Sequence, residues 1–138
     1  MKKNLFLSLL LFSSFAFLSC GENKDGSGDL LGTGGGGNVT FQISIVQDDR
    51  GNNLFGANPS AAVKITTILV NQAQIPVNET VTNPTPDEVI QPLEGGQYYG
   101  FFEVPQGAQT GQQWSFRFQG TLAQGGQAFN VTTNYTIQ

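Results

Sequence analysis

Few side chains in this 138-residue chain could do covalent chemistry. There is one cysteine, Cys20, there is no histidine, and beyond residue 38 the serines are Ser44, Ser60 and Ser115. A serine or cysteine nucleophile needs an adjacent base, usually histidine, so acyl transfer has no obvious base here. Zinc sites lack their usual ligands for the same reason. What remains is a set of carboxylates, Asp48, Asp49, Glu79, Asp87, Glu88, Glu94 and Glu103. Two of them together could work as acid and base, as in glycoside hydrolysis. All but Glu79 and Glu103 sit in or beside turn-like sequence, where solvation is the ordinary explanation.

Two features could bind rather than react. The stretch Asp48-Asp49-Arg50-Gly51-Asn52-Asn53 offers hard oxygen donors, and Asp48, Asp49 and Asn52 are candidate calcium ligands. Arg50 stands among them and the spacing is not that of an EF-hand. Turn chemistry explains the same residues, so neither a metal nor another cofactor is expected. The stretch 97–104 is aromatic on both faces, since period two sends Tyr99 and Phe101 opposite to Tyr98 and Phe102. One set fills a core. The other is covered if the strand is central, which is the favoured reading. If it is exposed, Tyr98 and Phe102 form a candidate ligand-binding surface for sugars or proteins.

The elements that would position these groups begin with an address. Lys2 and Lys3 precede residues 5–18, an uncharged run interrupted only by Ser8, Ser13 and Ser14. As a helix this run covers roughly 21 Å, short of the ~30 Å hydrocarbon core of a bilayer. It therefore has the length and flanks of a signal peptide. At its end, Phe17-Leu18-Ser19-Cys20 resembles the lipobox of bacterial lipoproteins, with Phe17 at a position usually held by Leu. The resemblance implies that Cys20 is acylated and becomes the mature N-terminus. A plain secretory signal peptide that contains a cysteine is the alternative. A lone free thiol in an exported protein is a liability, which favours acylation.

Composition narrows the range of partners. Without Lys2 and Lys3 the chain keeps four basic residues, Lys24, Arg50, Lys64 and Arg117, against ten acidic ones, so its side chains sum to −6. Nucleic-acid binding needs clustered cations, so no nucleic-acid partner is expected. Residues 20–38 hold the cysteine and a tether with eight glycines. Such a chain is a flexible coil, with an r.m.s. span of about 21–25 Å. Gly32-Thr33-Gly34-Gly35-Gly36-Gly37 matches G-x-G-x-x-G in letters, but no strand precedes it and no helix follows to aim a phosphate site. The acidic residues Glu22, Asp25 and Asp29 loosely resemble surface-export signals of Bacteroidota lipoproteins. Both faces of the outer membrane stay open as locations.

From Val39 onward the pattern has period two. Val39, Phe41, Ile43 and Ile45 alternate with polar residues, as a half-buried antiparallel strand requires. A turn is expected over residues 48–53 and a strand over 61–70, with Val63, Ile65, Thr67 and Leu69 on one side; the other side carries Lys64 and Thr66 and ends in Ile68 and Val70, which leaves open that one end is covered on both faces. Residues 75–82 read as a strand broken by Pro76, which suits an edge or a bulge, and Asn83-Pro84-Thr85-Pro86 as a loop. The final hairpin is the clearest segment. Trp114, Phe116, Phe118 and Leu122 line one face, Gly120 leaves a gap suggestive of a bulge, and Phe129, Val131, Thr133, Tyr135 and Ile137 repeat the alternation after a glycine turn. About six or seven strands in residues 39–138, and no helical period, predict an all-β antiparallel sandwich.

Two short motifs carry a family resemblance. Val46-Gln-Asp48-Asp-Arg-Gly51-Asn52-Asn-Leu54-Phe-Gly56-Ala57 looks like the opening of carboxypeptidase-regulatory-like and macroglobulin-type domains. Gly95-Gly-Gln-Tyr98-Tyr-Gly100-Phe-Phe-Glu-Val-Pro105 resembles their close, and Leu93, Gly96 and Tyr98 fit the corner of immunoglobulin-like domains. The resemblance implies an Ig-like or prealbumin-like sandwich. It departs from true immunoglobulin domains in lacking a cysteine pair and in placing Trp114 late. The reading is then a signal peptide over residues 1–19, a lipidated tether over 20–38 and a β-sandwich over 39–138. It would be an envelope protein held at the outer membrane by the lipid on Cys20, with a non-catalytic sandwich that binds or scaffolds. The partner would be an envelope protein or a glycan. The alternatives are a carbohydrate-binding module using the exposed aromatic face and, more distantly, a carboxylate-dependent hydrolase.

Overall fold

A computed structural model describes residues 38–138; Cys20, the signal-peptide segment and the tether up to residue 37 lie outside the described residues. Seven strands form in chain order: β1 (Phe41–Gln47), β2 (Asn53–Pro59), β3 (Val63–Gln72), β4 (Val77–Thr82), β5 (Tyr99–Glu103), β6 (Gln113–Leu122) and β7 (Ala128–Thr136). They make two antiparallel sheets, ordered β1-β2-β5 and β4-β3-β6-β7. This is the expected all-β sandwich. Its strand order is consistent with an immunoglobulin-like arrangement whose fourth strand pairs with the third rather than the fifth. No helix among the described residues is long and apolar enough to cross a membrane.

The sheets face each other through aromatic rings. Phe41 of β1 stacks on Phe118 of β6 with centroids 4.0 Å apart and planes at 8°. Phe55 of β2, fully buried, meets Trp114 at 4.8 Å, Phe116 at 5.0 Å and the edge of Tyr135 at 6.1 Å. Rings bury large apolar areas and gain from tilted contacts, so Phe55 holds the two layers together near their centre. Trp114 is fully buried, and its indole N–H has no partner among the described residues. That orphan donor costs on the order of 1–3 kcal/mol, a cost offset by the area its ring removes from water.

Four expectations need correction. Residues 53–59 form β2, the middle strand of its sheet, where the sequence reads as a turn followed by a motif; Leu54, Phe55, Gly56 and Ala57 are buried in succession. A middle strand covered on both faces shows no alternation. The strand expected over 61–70 starts at Val63 and changes phase: Ile65 opposes Gly120 and Thr67 opposes Gln119, so Thr66 is an extra residue. Beyond it Ile68 and Val70 enter the core, and Thr67 and Leu69 do not join it. The bulge suggested by Gly120 is present, but the inserted residue lies on β3. The strand expected over 97–104 is not central; β5 is an edge strand. Its alternation also fails, because Phe55 opposes Phe102 and Gly56 opposes Gly100, which leaves Phe101 as the inserted residue. The expected edge position of the strand after Pro76 is found in β4.

The crossover between β4 and β5 carries the chain from one sheet to the other and is pinned at three points. Ile90 and Val63 exchange both backbone hydrogen bonds, at 2.8 and 3.0 Å. Asn83 donates its side-chain N–H to the Ile65 carbonyl at 2.9 Å. Asn58 of β2 donates to the Leu93 carbonyl at 2.7 Å and accepts from the Leu93 N–H at 2.9 Å. The last pair clips the crossover onto the outer face of the three-stranded sheet, at the end of its middle strand.

Candidate functional site

The outer face of the three-stranded sheet is set by alternation. Phe41, Ile43 and Ile45 of β1 and Phe55 and Ala57 of β2 belong to the core or pack on it. Their neighbours Gln42, Ser44 and Val46, and Leu54, Gly56 and Asn58, therefore point away from the second sheet. At one end of this face a cleft of about 260 Å³ is lined by Thr40, Gln42, Asn58, Pro59, Ser60, Pro92 and Leu93. Its volume lies just below the ~300–1,000 Å³ of small-molecule sites. One wall, Pro92 and Leu93, is held to the sheet by the two bonds between Asn58 and the Leu93 backbone. The Thr40 N–H donates to the Ser60 hydroxyl oxygen at 2.9 Å, which fixes the opposite rim. Among the described residues the Gln42 amide makes no side-chain hydrogen bond, and it stands exposed on the cleft floor.

Toward the middle of the same face lies a small apolar cluster separate from the core. Leu54 is only 9 % exposed but does not belong to the core cluster. A side chain at Gly100 would come within 2.7 Å of Leu54 Cδ1, and one at Gly56 within 2.8 Å of Tyr98 Cβ and 3.1 Å of Val46 Cγ2. The two glycines are thus the space into which Leu54 and Tyr98 fold. Successive outward residues of a strand lie about 7 Å apart, so Tyr98, over Gly56, sits one such step from Asn58 and the cleft.

The predicted aromatic pair is therefore not assembled on one face. Tyr98 is half-buried on the outer face, whereas Phe102 opposes Phe55 and packs on the core. Phe101 also points inward, meeting Phe116 edge-on at 5.3 Å and Phe118 at 5.6 Å. The inserted residue places both Phe side chains on the same side. Tyr99 donates its hydroxyl to the Gln91 carbonyl at 3.0 Å. Burial pushes its pKa above the ordinary tyrosine value, and the nearby Glu88 charge raises it further.

The residues proposed as calcium ligands form a closed turn. One oxygen of Asp48 accepts from the Arg50 N–H at 2.9 Å and the Asn52 N–H at 2.8 Å, and the other accepts from the Asn52 side-chain amide at 2.9 Å. Gly51, at φ 81°, closes the loop through its N–H to the Asp48 carbonyl at 2.9 Å. These bonds, led by the Asn52 side-chain amide, hold the Asp48 carboxyl below the usual aspartate value. Asp49 makes no side-chain hydrogen bond among the described residues. No group of three or more His, Cys, Asp or Glu that could hold a metal ion occurs among the described residues.

Sequence reasoning found Tyr98 but missed the cleft. Thr40 and Gln42 come from β1 and the segment before it, Asn58 to Ser60 from the end of β2, and Pro92 and Leu93 from the crossover. The pairing that joins Asn58 to Leu93 spans 35 residues, and no local pattern announces it. Comparison of the chain with models of protein families, with characterised proteins and with solved structures returns no match.

Proposed function

We propose that the chain is a lipid-anchored envelope protein whose sandwich is a non-catalytic binding module. The observation that carries the binding half is the outer face of the β1-β2-β5 sheet. There an open cleft bordered by amide and hydroxyl groups lies one outward strand step, about 7 Å, from the half-buried Tyr98 over Gly56. Such groups orient a neutral, hydroxyl-rich or peptide-like ligand by hydrogen bonds and stacking. They offer no nucleophile beside a base, which favours binding over turnover. The anchoring half rests on the sequence: a short apolar run, the tetrapeptide Phe17-Leu18-Ser19-Cys20 and a glycine-rich tether of the length that lets a domain clear the headgroups.

The two halves have separate tests. Mass spectrometry of the mature protein should find acyl chains on Cys20 as the N-terminal residue, and Cys20→Ala should leave the protein uncleaved or in the soluble fraction. A mature chain beginning elsewhere with a free thiol removes the anchor. For the binding half, the position of Tyr98 beside the cleft favours a glycan over the other ligands considered. On a glycan array the protein should retain a subset of sugars, and Tyr98→Ala and Gln42→Ala should each abolish that retention. Uniformly negative arrays, or binding that both variants leave intact, would remove the sugar reading.

A further inference from the structure

The four sheet edges of the sandwich are not equally guarded. Exposed edges carry unpaired backbone groups, and proteins blunt them with charge, proline, bulges or short strands. β4 carries Glu79 and lies between Pro76 and Pro84, and β5 carries Glu103, an inserted residue and Pro105 just beyond its end. β7 has none of these devices. It runs for nine residues, Ala-Phe-Asn-Val-Thr-Thr-Asn-Tyr-Thr, without charge or proline, and it pairs with β6 in unbroken register from Ala128 to Thr136. β1, the strand of the other sheet that comes near β7, is also uncharged along Phe41–Gln47.

The hydrogen-bonding phase of β7 shows what its outer edge, unpaired among the described residues, offers. The Leu122 N–H donates to the Gln127 carbonyl at 2.8 Å and the Ile137 N–H to the Gln112 carbonyl at 3.1 Å. Antiparallel ladders alternate, so Phe129, Val131, Thr133 and Tyr135 aim their backbone groups at β6. Asn130, Thr132 and Asn134 aim theirs outward, and their side chains stand exposed on the outer face of the sheet.

We infer that this edge pairs with the same edge of a second copy of the chain, antiparallel about a two-fold axis through Thr132. The occupant is identified by the sequence of the strand, which is close to its own reverse. About Thr132, Asn130 meets Asn134, Val131 meets Thr133, Phe129 meets Tyr135 and Ala128 meets Thr136. The Asn–Asn and Phe–Tyr pairs are matched in character, Val–Thr and Ala–Thr are close in size only, and no charges meet. An isologous contact requires this self-complementarity. Ala128 and Thr136 share the outward phase, so the pairing offers five outward residue pairs and, at two bonds each, about ten backbone hydrogen bonds, and it joins two four-stranded sheets into one. It is independent of the ligand and the lipid proposed above.

The test uses the full chain purified in detergent, its mass measured by sedimentation in a density-matched buffer. The native chain is expected at dimer mass at tens of micromolar. Thr132→Lys sets two like charges face to face on the axis and should shift the mass to monomer, with far-UV circular dichroism and the melting curve unchanged in form. Thr132→Val keeps the edge neutral and should remain dimeric, as should Thr80→Lys on the exposed edge strand β4. A native chain that is monomeric at that concentration overturns the inference. So does a dimer that Thr132→Lys leaves intact, or one that Thr80→Lys dissociates equally.

Discussion

Gly120→Ala examines the junction of β3 and β6, where the fold departs from simple alternation. Gly120 sits in β6 opposite Ile65, beside the inserted Thr66. A methyl group built there runs into the carbonyl oxygen of Lys64 and lies 3.0 Å from Ile65 Cα, both of them backbone atoms. Backbone cannot rotate away as the end of a flexible side chain can, so the two strands must separate locally. Ile65 and Gly120 are a non-hydrogen-bonded pair, since the Ala123 N–H bonds the Ala62 carbonyl and the ladder alternates; the bonds at risk are therefore those of the adjoining Lys64–Thr121 pair and the two side-chain bonds of the bulge. These are Thr66 Oγ1 to the Gln119 carbonyl at 3.0 Å and Thr67 Oγ1 to Gln119 Oε1 at 2.8 Å. At about 0.5–1.5 kcal/mol each, three or four such bonds amount to roughly 3–4 kcal/mol. Alanine restricts the unfolded chain and returns about 0.4–1 kcal/mol. The expected net loss is therefore about 2–3 kcal/mol, or a fall in Tm of roughly 10–20 °C for a domain of this size. Trp114, the sole tryptophan and fully buried, reports the transition by fluorescence in urea and on heating. Gly125→Ala is the contrasting control: nothing lies within 4 Å of the added methyl, but φ is +82°, so the cost is the left-handed backbone alone, about 1–2 kcal/mol. A Gly120→Ala protein as stable as the parent, or less affected than Gly125→Ala, would refute the bulge and the strand register built on it.

Other substitutions read separate parts of the molecule. Phe55→Ala removes a fully buried ring that touches Trp114, Phe116 and Tyr135, and should cost about 3–5 kcal/mol, measured by the same urea titration. Asp48 has its folded pKa depressed by the Asn52 and Arg50 donors. Its contribution is therefore present above the unfolded value of 3.8 and is lost as pH falls through the lower folded value; Asp48→Ala should melt below the parent at neutral pH, with the gap closing in acid. Tyr99 behaves with opposite sign. Its pKa is raised, so stability is present below 10.0 and is lost as pH rises through the folded value, and Tyr99→Phe should flatten the alkaline limb of a Tm-versus-pH curve. Gly56→Ala should displace Tyr98, whose Cβ lies 2.8 Å from the new methyl, and weaken any glycan retention that depends on that ring while the core, and hence the far-UV spectrum, is preserved.

The parts of the fold that were legible in the sequence are those where one face is wet and the strand unbroken. β6 and β7 pair in continuous register, so the alternation of Trp114, Phe116 and Phe118 with Ser115, Arg117 and Gln119 reads directly as inside and outside. β2 was illegible for the opposite reason: with Leu54 buried under Gly100 on one face and Phe55 in the core on the other, alternation has nothing to report. The two phase errors have one cause. An inserted residue at Thr66 and another at Phe101 each shift the inward set by one position, and a one-residue shift exchanges the faces of everything beyond it. Thr67-Ile68-Leu69-Val70 can be read in either phase from side chains alone. Its partner Gly120, which leaves room for the Lys64 carbonyl, holds the information that decides between them. The same logic separates the two halves of the candidate site. Tyr98 was visible because an aromatic in a turn-flanked strand is conspicuous locally. The cleft beside it depends on Asn58 gripping both backbone groups of Leu93, a contact between a strand end and a proline-flanked loop that only the closed sandwich brings together. The binding face is therefore a product of topology, and Asn58→Ala should loosen the cleft wall and any ligand retention with it while Tyr98, held over Gly56, stays in place.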